Sequence, residues 1–183
     1  MAPNANTDGP DPGPAPGGGA PDDPGAAGDP DAQLAAYSAR LADAVEAALA
    51  TWVVREVGRI MVAWSSSYPD DVRRRAEEAG ERARAETMPR LRRLLEADVD
   101  EQRTGPLAVI RAAVAHPTAV LADAGVPPVA RDEFAERQFP DDVYDLSPAA
   151  FADLDPSVHE PGLEWGAAKA HVVLTRRRAE GKR

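Results

Sequence analysis

Apolar residues first recur at helical spacing at Leu34, Tyr37, Leu41, Val45, Ala48 and Trp52, intervals of three and four that share one face of a 3.6-residue spiral. Val53, Val57, Ile60, Met61 and Trp64 continue the pattern on a slightly rotated, broader face, and Arg40, Asp43 and Glu46 fall opposite. The pattern predicts a single amphipathic helix from Asp31 to Ser66, with Asp31 as its N-cap. At 1.5 Å per residue it would be about 50 Å long. Its second half is apolar enough to require cover from the rest of the chain or from a partner.

The run Ser65-Ser66-Ser67-Tyr68-Pro69 stops that helix, and Ser67 with Asp70 resembles a capping box. A second helix is expected from Pro69 to about Glu86. Its apolar face is thin (Val72, Ala76, Ala79, Ala83), and side chains this small allow close packing against the first helix. A short connector makes the two antiparallel. Pro89 is expected to break or kink the element, with Thr87 as a new cap and Leu91, Leu94 and Leu95 beyond it. Pro106 suits a first turn; Leu107, Ile110, Val114 and Leu121 would line a core face, Pro117 would interrupt it, and Gly125 would end it. Val129 to Phe139 reads as a short helix with Phe134 inward. Ser147-Pro148 signals a short helix holding Phe151 and Leu154, and Asp155-Pro156 repeats the signal. Pro161 is expected to open the last helix, with Leu163, Ala167, Ala170 and Leu174 at helical spacing. Alternating β-branched runs are absent. The fold class expected is all-α: a single-domain bundle of about five to seven helices over residues 31–183.

Composition changes the picture at the N-terminus. Residues 1–30 hold eight of the 18 Pro and seven of the 14 Gly, five Asp, and no Lys, Arg or aromatic residue. Such a segment cannot bury enough apolar surface to offset its ordering entropy and is expected to be a disordered tail. The chain has no Cys, which excludes disulfides and thiolate chemistry. A leader sequence and a membrane span are not expected, because the most apolar stretch is interrupted by Arg55, Glu56 and Arg59. The expected compartment is the cytoplasm. A net charge of −10 opposes indiscriminate binding to nucleic acid or anionic membrane.

Candidate chemistry is sparse. The segment Asp132–Glu164 carries ten carboxylates. Asp153, Asp155, Ser157 and Glu164 fall at positions 1, 3, 5 and 12 of a calcium-loop template, but Val158 replaces the required Gly and Pro161 intrudes. His116, His159 and His171 lie in no metal-binding frame. Between Asp71 and Arg93 there are eight Arg against five carboxylates, and Arg176, Arg177 and Arg178 end the last helix; either cluster is a candidate for phosphate contact. Phe139, Tyr144 and Trp165, with Asp141, Asp142 and Asp145, are candidates for a partner-facing edge of aromatic anchors ringed by charge. There is no P-loop, no G-x-G-x-x-G and no Ser/His/Asp frame, so no cofactor is indicated.

The runs Ala115-His116-Pro117-Thr118, Arg131 to Glu136, Phe139 to Tyr144 and Trp165 to Ala170 resemble an uncharacterised actinobacterial protein family over about residues 35–178. The resemblance implies a bacterial cytoplasmic protein and transfers no activity. The residues favour a non-catalytic adaptor whose partner is another protein or a second copy of the chain. A nucleic-acid binder using the Arg-rich helix or the C-terminal Arg cluster is the first alternative, and a metal-dependent enzyme using the acidic segment 132–164 is the second.

Overall fold

The computed structural model describes residues 29–130, 139 and 141–181. The expected tail up to residue 28 and the helix expected around Phe134 lie outside the described residues. Helix α1, Pro30–Ser65, runs for 36 residues, about 54 Å. Its N-cap is Asp29, not Asp31: the Asp29 carboxylate accepts the Asp31 N–H at 3.1 Å. Pro30 takes the first helical position, where its missing N–H costs nothing. At the other end Ser66 adopts a left-handed conformation (φ 55°), and its N–H donates to the Val62 carbonyl at 2.9 Å.

Helix α2, Asp70–Glu96, starts after Pro69, which makes no side-chain cap bond. The expected Ser67–Asp70 box is therefore not formed; the Ser67 carbonyl instead lies 2.7 Å from Ser65 Oγ. Pro89 was expected to break this helix, yet α2 passes through it. Thr87, Met88, Leu91 and Leu95 are all buried around it, and their packing holds the helix continuous while the proline itself faces solvent. Thr87 is thus an interior residue and not a cap.

The two long helices are antiparallel. Arg92 meets Asp43 and Glu46 at one end, Gly80 meets Ala50 in the middle, and Tyr68 lies on Gly58 at the other. A β-carbon on Gly80 would sit 2.7 Å from the Ala50 carbonyl oxygen, so the backbones approach as closely as glycine allows. Ala76 and Ala83, fully buried beside it, are the small residues that permit the approach.

Helices α3 (Pro106–Arg111) and α4 (Ala115–Asp123) are joined by a 3-10 turn over Ala112–Val114. The interruption precedes Pro117, which sits in the first turn of α4, where a helix tolerates proline. Gly125 (φ 77°) ends α4 in a Schellman motif: its N–H donates to Ala122 and the Val126 N–H donates to Leu121, both at 3.0 Å.

Further along the chain, α5 (Phe151–Leu154) leads into α6 (Pro156–Glu180). Asp155 caps α6 by accepting the Ser157 N–H at 2.9 Å. The last helix therefore opens at Pro156, and Pro161 lies inside it. Helix α6 runs antiparallel along the flank of α1, with Arg176 against Asp31, Glu164 against Arg40 and the Leu154 carbonyl against Arg55. The row that the helical spacing picks out is not the one that is buried. Val158, Gly162, Trp165, Ala168 and Val172 face the core, while Leu163 and Leu174 are 62% and 51% exposed and Ala167 and Ala170 are exposed beside them.

Helix α1 touches α2, α4, α5 and α6, which is why it is apolar on more than one face. The buried side chains form one continuous cluster centred on Leu41, Leu49, Val53 and Val57. No strand occurs among the described residues. The structure is all-helical, as the periodicity predicts.

Candidate functional site

The expected partner edge divides on folding. Tyr144 is 3% exposed and donates its hydroxyl to the Val126 carbonyl at 2.8 Å. Trp165 is buried on α6, with the Lys169 ammonium 5.2 Å from its ring centre. Asp142 is also buried; its carboxylate accepts the Leu146 N–H at 2.9 Å and the Ser147 N–H at 2.5 Å. Tyr144 and Asp142 hold the loop to the bundle and Trp165 packs in the core, so these three lie buried and not on an exposed partner-facing edge. Phe139 is half-buried under the Arg111 guanidinium, 4.2 Å from the ring centre. Asp141 and Asp145 are exposed, and Asp145 adopts a left-handed conformation (φ 56°) that short polar side chains tolerate.

The acidic residues around α5 and α6 also have defined structural tasks. Asp153 accepts the N–H groups of Ala149 and Ala150 at 2.8 Å, and Glu164 pairs with Arg40. The hydrogen bond from Ser157 holds the Asp155 carboxyl below the usual carboxylate range. With Ser157 and Glu164 inside α6, the calcium-template positions do not form a loop. Asp132, Glu133 and Glu136 lie outside the described residues. Among the described residues no three His, Asp or Glu side chains are grouped to hold a metal ion.

Most of the Arg-rich run of α2 is paired within the protein, Arg90 and Arg93 excepted. Arg74 pairs with Glu78, Arg75 with Asp123, Arg82 with Glu86, Arg84 with Glu81, and Arg92 with Asp43 and Glu46. Glu86 also meets His116 Nε2 at 2.8 Å, and these two hydrogen bonds, His116 first, lower its pKa. Arg176 is shared by Asp98 (2.6 Å), Asp31 (2.9 Å) and Asp100 (3.3 Å). It ties the C-terminal helix to the start of α1 and the end of α2, which leaves Arg177 and Arg178 as the exposed members of its cluster.

That triple contact closes one end of a groove of about 440 Å³ between α1, the end of α2 and α6. Leu34, Ala35, Ser38, Ala39 and Ala42 of α1 form its floor. Leu95 and Val99 form one wall, and the rim carries Asp31, Glu96 and Asp98 against Arg92 and Arg176. Ser38, in the middle of the floor, is 6% exposed, and its Oγ has no hydrogen-bond partner. Leaving a buried hydroxyl unpaired is costly. Both rim arginines are already held by carboxylates, so the field at the groove mouth is acidic. The groove was not anticipated from the sequence. The available signal was the run of small residues Ala35, Ser38, Ala39 and Ala42, which share a face of α1 but are too weakly apolar to register in the hydrophobic pattern.

Comparison with protein-family models, curated proteins and solved structures gives no match. No described helix is long and apolar enough to cross a membrane.

Proposed function

We propose that this chain is a non-catalytic protein-interaction module, and that its groove receives an apolar helical segment flanked by basic residues. The small-residue floor of Ala35, Ser38, Ala39 and Ala42 beneath an acidic rim carries the reading. Alanine and serine let a second backbone approach closely, as Gly80 and Ala76 already do between α1 and α2. The acidic rim selects basic flanks. Several groups elsewhere that resembled chemistry are engaged in a cap, a loop staple or an ion pair, Asp142, Asp153, Asp155 and Arg176 among them, which supports a binding role over a catalytic one.

The test uses defined probes: fluorescent amphipathic peptides with Lys or Glu flanks around the same apolar stripe, titrated by anisotropy. The Lys-flanked peptide is expected to bind, and Ala39→Arg, which fills the groove and repels basic flanks, should abolish binding with the helical circular dichroism unchanged. Equal binding of both peptides, or binding that survives Ala39→Arg, overturns the groove. A nucleic-acid role has weaker support, because six of the eight arginines between Asp71 and Arg93 are paired with carboxylates and Arg176 is held by three of them. Strong heparin retention lost between low and moderate salt would restore that reading.

A further inference from the structure

The solvent face of α6 carries an ordered stripe: Glu160, Leu163, Ala167, Ala170, Leu174 and Arg177, separated by three, four, three, four and three residues. That is the spacing of a coiled-coil seam, about 25 Å long at 1.5 Å per residue. All six residues are exposed, and the stripe lies diametrically opposite the buried row Val158, Gly162, Trp165, Ala168 and Val172. Isolated exposed leucines are ordinary. Two leucines in register on one seam, with alanines between them and opposite charges at its ends, are not accounted for by the packing of the described residues.

The order of the stripe identifies what covers it. Read from either end it presents a charge, a leucine, an alanine, an alanine, a leucine and a charge, and the two terminal charges are opposite. Two copies placed antiparallel about a twofold axis therefore bring Glu160 against Arg177 of the other copy, Leu163 against Leu174, and Ala167 against Ala170. A parallel pair would stack Glu160 on Glu160 and Arg177 on Arg177. Both terminal charges are available: Glu160 reaches only Arg40, at 3.8 Å, while Arg40 has the closer partner Glu164 at 2.5 Å. Among the described residues Arg177 has no ion pair. We infer that the chain self-associates as an antiparallel twofold dimer through the solvent face of α6, with Glu160 and Arg177 setting its direction. A twofold contact pairs each patch with itself, and the central alanines allow the helices to come close. The surface is separate from the groove and does not depend on its assignment. A single helix pair is smaller than a standard protein interface, so the dimer is expected to be weak and concentration-dependent.

Sedimentation equilibrium of the full chain tests this. A monomer–dimer equilibrium is expected, and Leu163→Glu with Leu174→Glu should abolish it while circular dichroism is retained. Glu160→Arg places two arginine pairs across the contact and should weaken association by about tenfold; adding Arg177→Glu reverses the pairing and should recover it. Direction is read by oxidative cross-linking, which the absence of native cysteine makes clean. Leu163→Cys mixed with Leu174→Cys should cross-link, and Leu163→Cys alone should not. A chain that stays monomeric up to about 1 mM, a double charge reversal that fails to recover association, or efficient cross-linking of Leu163→Cys with itself overturns the proposal.

Discussion

Single residues in this bundle act against their usual signs. Glycine inside a helix ordinarily destabilises it by about 1 kcal/mol relative to alanine, so Gly80→Ala would normally strengthen α2. Here the added β-carbon would meet the Ala50 carbonyl at 2.7 Å, and that oxygen belongs to the backbone of α1 and has little freedom to retreat. Gly80→Ala is therefore expected to destabilise by about 1–3 kcal/mol, read as a lower urea midpoint; an unchanged or raised midpoint would show that the helices separate easily. Asp142 argues similarly. As one of six residues in an aromatic and acidic cluster it looked like surface, but its carboxylate receives two backbone N–H groups. Asp142→Ala is expected to cost about 1–3 kcal/mol by leaving those donors unpaired, with increased amide exchange confined to the loop after Phe139. Uniform exchange across the molecule would argue that the loop is not held locally. Tyr144 and Trp165 were likewise readable as either anchors or core, since an aromatic in a polar stretch has the same sequence appearance in both roles.

At the scale of elements, periodicity located α1 and α2 well and their boundaries less well. Caps depend on which side chain reaches which N–H, and prolines at the N-terminal turns of α1 and α6 moved both starts by only one or a few residues. Pro89 is the instructive exception. A helix-interior proline costs about 3 kcal/mol, and local rules end the helix there, yet buried Met88 and Leu91 on either side outweigh that cost. Pro89→Ala restores an N–H for the Ala85 carbonyl. Allowing about 1 kcal/mol for the greater freedom gained by the unfolded chain, it should stabilise by about 2 kcal/mol, a rise in Tm of about 4–8 °C. A fall in Tm would mean that the proline relieves strain in α2. Helix α6 shows the opposite failure. Its two faces are nearly equal in apolar content, Val158-Gly162-Trp165-Ala168-Val172 against Leu163-Ala167-Ala170-Leu174, so periodicity named a helix without being able to say which face turns inward.

Across the whole molecule, ion pairs join elements that are distant in sequence. Asp98 is lowered by its bond to Arg176, Glu86 by His116 and Arg82, and Asp155 by Ser157. Each contributes stability that is fully present above its unfolded pKa of about 4 and is lost as pH falls through its lower folded value. The urea midpoint should therefore hold steady through the neutral range and drop only below about pH 4, with Asp98→Asn shallowing the drop. A decline already under way at pH 6 would show that these carboxylates do not control the acid transition. The helical class, the two long helices and the thin Ala face of α2 were determined by the sequence itself, because spacing and side-chain size act locally and survive in one dimension. The inward face of α6, the continuity of α2 through Pro89, the burial of Asp142, Tyr144 and Trp165, and the groove above Ser38 were decided only in the tertiary structure. Each depends on which surfaces compete for the limited core around α1, a contest among side chains that lie far apart along the chain.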